Sequence, residues 1–77
     1  MTASQRLDAR GLKCPLPVLK ARKAMKALAA GETLEVLASD PSAPQDFRSF
    51  CETTGHRLRD SSEETGIYRF LLEKAPS

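Results

Sequence analysis

Tryptophan is absent from the 77 residues, and three phenylalanines and one tyrosine make up the whole aromatic complement. All four (Phe47, Phe50, Tyr68 and Phe70) fall where helix or strand periodicity turns them inward, so no exposed platform for stacking bases is visible. A net charge of +2 is also well short of a strongly basic domain, which argues against stable direct nucleic-acid binding. Cysteine is scarce as well. Cys14 and Cys51 are too few for the disulfide framework of small secreted domains. With the single histidine, His56, they cannot complete a four-ligand zinc site, so neither a metal nor another cofactor is expected. No apolar run approaches the roughly 20 residues needed to span a bilayer. The opening Met-Thr-Ala-Ser-Gln-Arg lacks the apolar core of a secretory signal. These absences point to the reducing cytoplasm, where both thiols stay free, and to no membrane partner.

What is present is ordinary globular material, 40% hydrophobic and 29% charged, without repeats or low-complexity tracts. A single domain over residues 1–77 follows, near the lower size at which one core supports itself. Charge is unevenly spread. Between Asp8 and Lys26 six basic residues (Arg10, Lys13, Lys20, Arg22, Lys23, Lys26) face one acid, giving +5; the whole chain carries +2, so the remainder sums to −3.

Periodicity supplies the elements. Arg6 to Ala9 reads as a short extended segment with Leu7 and Ala9 on one side, and Gly11 permits a positive-φ turn after it. Beyond Cys14, residues Pro17, Val18, Ala21, Ala24, Met25 and Leu28 fall in one apolar sector of a helix that Ala30 and Gly31 stop. Thr33 to Ala38 alternates as a strand, with Leu34, Val36 and Ala38 on one face and Glu35 on the other. Ser42 precedes Gln45 by three residues, the spacing of a capping box, and opens a second helix with Phe47, Phe50, Cys51 and Thr54 on its inner stripe; Gly55 closes it. His56 to Asp60 alternates weakly, Ser61 to Gly66 reads as a polar turn, and Ile67 to Leu72 is a strand with Tyr68, Phe70 and Leu72 on one face. The order β-α-β-α-β-β predicts an open two-layer α/β sandwich, its first three strands parallel and its fourth antiparallel.

The chemistry concentrates in Gly11-Leu12-Lys13-Cys14-Pro15-Leu16-Pro17. Proline is tolerated only in the first turn of a helix, so Pro15 and Pro17 fix where the helix begins and put Cys14 at its cap. There the free peptide N–H groups, beginning with Leu16, and the positive end of the helix dipole favour an anion. With Lys13 and Arg10 near, the Cys14 thiol is expected to have a lowered pKa and to serve as a nucleophile in sulfur exchange. Cys51, mid-helix on the inner stripe, reads as core. Nothing places His56 near Cys14 as a base. An activated thiol without a base or substrate pocket suits a relay completed by partner enzymes. Leu16 and Leu19 fall on the outer face among Arg22, Lys23 and Lys26, and this set is the expected docking surface for acidic partners, unless the amino-terminal strand or loop covers the two leucines.

The chain resembles the TusA/SirA family of sulfur carriers. The match rests on Leu7-Asp8, Gly11-Leu12, Cys14-Pro15-x-Pro17, Gly31-Glu32, Asp40-Pro41, Asp46, Phe50-Cys51, Gly55-His56 and Tyr68-Arg69-Phe70. The resemblance implies a mixed four-stranded sheet with both helices on one face. It implies that Cys14 takes sulfane sulfur as a persulfide from a cysteine desulfurase or rhodanese-like donor. That sulfur passes to a downstream acceptor protein, in relays that serve tRNA thiolation, molybdenum-cofactor assembly or sulfur oxidation. Gly11, Lys13, Pro15 and Pro17 would support the thiol. The competing readings are a regulatory or redox-sensing thiol adaptor and a small RNA-binding module. The first wants a resolving cysteine close by, which a buried Cys51 does not supply; the second lacks exposed aromatics.

Overall fold

The computed structural model describes residues 4–75 and contains β1 (Gln5–Ala9), α1 (Leu16–Lys26), β2 (Thr33–Ala38), α2 (Ala43–Thr54), β3 (Arg57–Glu64) and β4 (Ile67–Glu73). Residues 1–3 and 76–77, the outer ends of the domain expected over 1–77 and the start of the segment read for a leader, lie outside the described residues. The four strands form one sheet in the order β1-β2-β4-β3. β1 runs parallel to β2, and β4 runs antiparallel to both β2 and β3. The first three strands therefore point one way and the fourth the other, as expected. Both helices pack against the same side of this mixed sheet.

The core lies between the two layers. Alternation puts Leu34, Val36 and Ala38 of β2 and Phe70 and Leu72 of β4 on the helix side, where all are buried. Ala21 and Met25 of α1 and Phe47, Phe50 and Cys51 of α2 close over them. Phe47 stacks on Phe70 with ring centroids 4.7 Å apart. On the helix-free face Glu35 is nearly buried between two arginines, Arg6 at 2.8 Å and Arg69 at 2.5 Å, which together bridge β1, β2 and β4.

Three local expectations need correction. The polar run Ser61–Glu64 is strand, and the turn shrinks to Thr65 and Gly66, both at positive φ between the paired Glu64 and Ile67. β3 is an edge strand with most side chains in solvent, so its pairing to β4 leaves no apolar period in the sequence. α1 stops at Lys26, short of Ala30. Ala27 and Leu28 donate to the carbonyls of Ala24 and Met25 in a tightened last turn, and Lys74 Nζ reaches the Met25 carbonyl at 2.7 Å. Leu28 still reaches the core from beyond the helix end. The capping box at α2 does not form: Ser42 is the N-cap residue but has a helical backbone (φ −86°, ψ −5°) and makes no side-chain cap bond, its hydroxyl being turned to Asp40, where it donates to Oδ1 at 2.8 Å.

Candidate functional site

Parallel pairing of β1 and β2 brings the loops after both strands to the same edge of the sheet. The loop after β1 turns at Arg10 and Gly11. Gly11 has φ +83° and donates its N–H to Ser39 Oγ at 2.8 Å. Leu12 packs part-buried against the core. Cys14 then donates its own N–H to Asp40 Oδ2 at 2.6 Å. Two hydrogen bonds thus tie the loop ahead of α1 to the loop behind β2, and a groove of about 300 Å³ runs between them, lined by Gly11, Leu12, Lys13, Ser39, Asp40 and Pro41.

The helix begins one residue later than expected. Pro15 is the N-cap and Leu16 the first helical residue, so Cys14 sits just outside the helix, joined to Pro15 by a cis peptide bond. Leu16 donates its N–H back to the Lys13 carbonyl at 2.9 Å, and Leu19 donates to the Pro15 carbonyl at 3.1 Å. Pro17 has no N–H to give. Among the described residues no peptide N–H donates to Cys14 Sγ, contrary to the expectation that Leu16 and its neighbours would point at the sulfur.

The thiol is solvent-exposed. It opens into a second groove, of about 230 Å³, between α1 and α2, lined by Pro15, Val18, Arg22, Asp46 and Phe50 among others. The Arg22 guanidinium lies over the Phe50 ring, 5.9 Å from its centroid. The electrostatics reverse the expected sign. The Asp46 carboxylate, which lines the same groove, pushes the Cys14 pKa up from its ordinary value, partly opposed by the Ser42 hydroxyl and reinforced by slight burial and by the charge of Asp40. The two cations invoked from the sequence are engaged elsewhere. Arg10 makes two 2.9 Å contacts with Asp8, and the Lys13 charge acts on Asp40. The Asp40 carboxyl is held below the ordinary range, first by the Ser42 and Cys14 N–H groups that donate to it.

The family model for sulfurtransferase TusA matches residues 5–74. The chain belongs to that family. The sulfur carrier protein TusA of Allochromatium vinosum is 46% identical over 71 residues, covering 92% of this chain and 93% of its own. The crystal structure of a SirA-like protein from Desulfitobacterium hafniense superposes with a TM-score of 0.81 at 26% identity, covering 92% of this chain and 97% of that one. The two-layer fold of the TusA family is thus the fold of this chain.

The other residues singled out in the sequence divide in two. Leu16 and Leu19 are exposed at 45% and 53%, so among the described residues neither the amino-terminal strand nor a loop covers them. Arg22, Lys23 and Lys26 are exposed on the same helix. Cys51, by contrast, is buried, and burial pushes its thiol up to about 11. His56 accepts the Ala75 N–H on Nδ1 at 2.9 Å and packs its ring 5.6 Å from Phe50, and it does not line the groove that Cys14 opens into. Phe47, Phe50 and Phe70 are buried and Tyr68 is packed against the core, which leaves no aromatic free to stack on a base. Among the described residues no helix is long and apolar enough to cross a membrane.

Asp40, Ser42, Asp46 and Ser39 were missed as site residues. The signal that could have found them is topological: once β1 and β2 are read as adjacent parallel strands, the Ser39-Asp40-Pro41 loop must lie beside the Gly11–Cys14 loop.

Proposed function

We propose that this TusA-family protein carries sulfane sulfur as a persulfide on Cys14, taking it from a donor protein and handing it to an acceptor. The observation that carries this reading is Cys14 itself, exposed at the mouth of a groove with its backbone fixed by Asp40, in a family named for sulfur transfer. The step needs no oxidant. The Cys14 thiolate forms a bond to the outer sulfur of a protonated donor persulfide, the donor's S–S bond breaks, and the electron pair stays on the donor cysteine, which takes up a proton. A raised pKa makes the thiolate rarer at neutrality but intrinsically more nucleophilic, so it slows the exchange less than tenfold for each unit.

Handover repeats the exchange in the other direction: an acceptor thiolate takes the outer sulfur and Cys14 leaves. Gly11, Lys13, Pro15 and Pro17 support the thiol by shaping the loop and the first turn. The donor is a cysteine desulfurase or a rhodanese-like protein, and the acceptor is a downstream protein of the relay. Leu16 and Leu19, ringed by Arg22, Lys23 and Lys26, form the face on which acidic partners dock. The chemistry requires reducing surroundings, which fits the cytoplasm.

Intact-mass measurement after incubation with cysteine and a desulfurase tests the reading. One added sulfur, removed by reductant, absent in Cys14→Ser and retained in Cys51→Ser, is the expected result. Sulfur found on Cys51, or on neither cysteine, overturns it.

A further inference from the structure

Cys14 is met by carboxylates rather than by the cations that flank it in sequence. Asp46, on α2, lines the same groove as Cys14, and its charge disfavours the thiolate there. Ser42 holds Asp46 from behind. Its Oγ lies 3.4 Å from Asp46 Oδ2 and donates to Asp40 Oδ1 at 2.8 Å, while Asp40 Oδ2 takes the Cys14 N–H. The cysteine's amide is thus held by Asp40, its thiol shares a groove with Asp46, and Ser42 links the two acids. The charged groups facing it are Asp46 from α2, Asp40 from the loop after β2, and Arg22 and Lys13 from its own segment. Of these cations, Arg22 is laid over Phe50 and Lys13 acts on Asp40, and the described ion pairs engage only Asp8, Glu35 and Glu73. Asp46 faces the sulfur without a cation of its own.

Resting on the carrier reading above, we propose that Asp46 holds the proton of the unloaded Cys14, so that the carrier takes sulfur where a donor protein sets a lysine or arginine against Asp46. A carboxylate lining the same groove as a thiol makes the thiolate a second negative charge beside the first. A cation arriving with the donor pairs Asp46 and removes that repulsion. The Cys14 proton then leaves to solvent, and Sγ is free to attack the donor's outer sulfur as described. Away from such a partner the thiol stays protonated and reacts poorly with small electrophiles. Asp46 is thus a positioning residue acting through Cys14.

The test follows iodoacetamide alkylation of Cys14 across pH in the full chain, for the native protein, Asp46→Asn and Asp46→Glu. A carboxylate in contact shifts a neighbouring acid by about 1–3 units, so the asparagine variant should titrate at least about one unit lower and alkylate about tenfold faster at neutral pH. The glutamate variant should stay within about twofold of native, because the charge is kept. Sulfur loading from a cysteine desulfurase and from free cysteine persulfide is measured alongside. The preference for the protein donor should fall at least about fivefold in Asp46→Asn, because small persulfides then find a thiolate. An unmoved titration midpoint or an unchanged donor preference overturns the proposal; Asp46→Ser decides if the amide variant does not fold. Native sulfur loading with an unmoved midpoint removes only the role of Asp46, whereas a moved midpoint without any loading removes the carrier reading beneath it.

Discussion

Cys14 donates its backbone N–H to the Asp40 carboxylate at 2.6 Å, so its position is set by the loop that follows the neighbouring strand as much as by its own helix. Asp40→Ala removes that acceptor together with the two bonds from Ser42. The Cys14 amide should then exchange with solvent at least about tenfold faster, and sulfur loading should slow although the thiol itself is untouched. Hydrogen exchange read by mass spectrometry checks the first, intact mass the second.

The same carboxylate makes stability acid-sensitive. The folded pKa of Asp40 lies below its ordinary 3.8, and Asp8 is lowered to about 2, chiefly by the Arg10 side chain. A group whose folded pKa is depressed stabilises the fold above its unfolded value and loses that contribution as pH falls through the folded one. The urea midpoint should hold above about pH 4 and decline toward about pH 2. Asp40→Asn should flatten that slope. A decline starting near neutrality would contradict it.

The two cysteines should behave oppositely toward alkylating reagents. Cys14 is exposed, while Cys51 is buried with its thiol pushed up to about 11. At mildly alkaline pH one equivalent of iodoacetamide should enter the native protein, on Cys14. Cys51 should react only in denaturant, at a rate limited by opening of the fold. Peptide mapping reads both.

Phe47 and Phe70 are fully buried and stacked, and they join α2 to the middle of the sheet. Phe47→Ala should cost about 3–5 kcal/mol, enough to unfold much of so small a domain, whereas Phe47→Leu should cost about 1–2 kcal/mol. Urea denaturation followed by circular dichroism gives both values.

Leu16 and Leu19 touch no core, so Leu16→Asp and Leu19→Asp should change stability by less than about 0.5 kcal/mol. Donor binding should nevertheless weaken about tenfold or more in each, as expected at the centre of an interface. Reversing charge at Lys23 and Lys26 should reduce the association rate and its salt dependence. Unchanged donor affinity in all of these variants would remove α1 as the docking face.

Much of the fold was legible because its signals are local. The inner stripes of α1 and α2 and the alternation in β2 and β4 each follow from the spacing of a few large apolar residues such as Phe47, Met25, Val36 and Phe70. The length of β3 was not, because an edge strand made of Ser61, Ser62, Glu63 and Glu64 is specified by its neighbour and not by its own side chains. Within the site, the prolines did mark the start of α1 to within one residue, and the helical wheel put Leu16 and Leu19 on the outer face while leaving open whether another segment covers them. The sign of the Cys14 perturbation could not be read the same way. Lys13 and Arg10 are neighbours along the chain, but Asp40 and Asp46, 26 and 32 positions away, are neighbours in space. Proximity in sequence overstated the cations and hid the acids.

The strand made last stands in the middle of the sheet. β4 lies between β2 and β3 and supplies every hydrogen bond that joins β3 to the rest. Without β4, β3 would have no strand to pair with, and Val36 and Phe47 would face water where Phe70 belongs. The core beneath the site therefore closes only when Ile67–Glu73 is in place, although Cys14 and the acids around it all belong to segments that precede that strand.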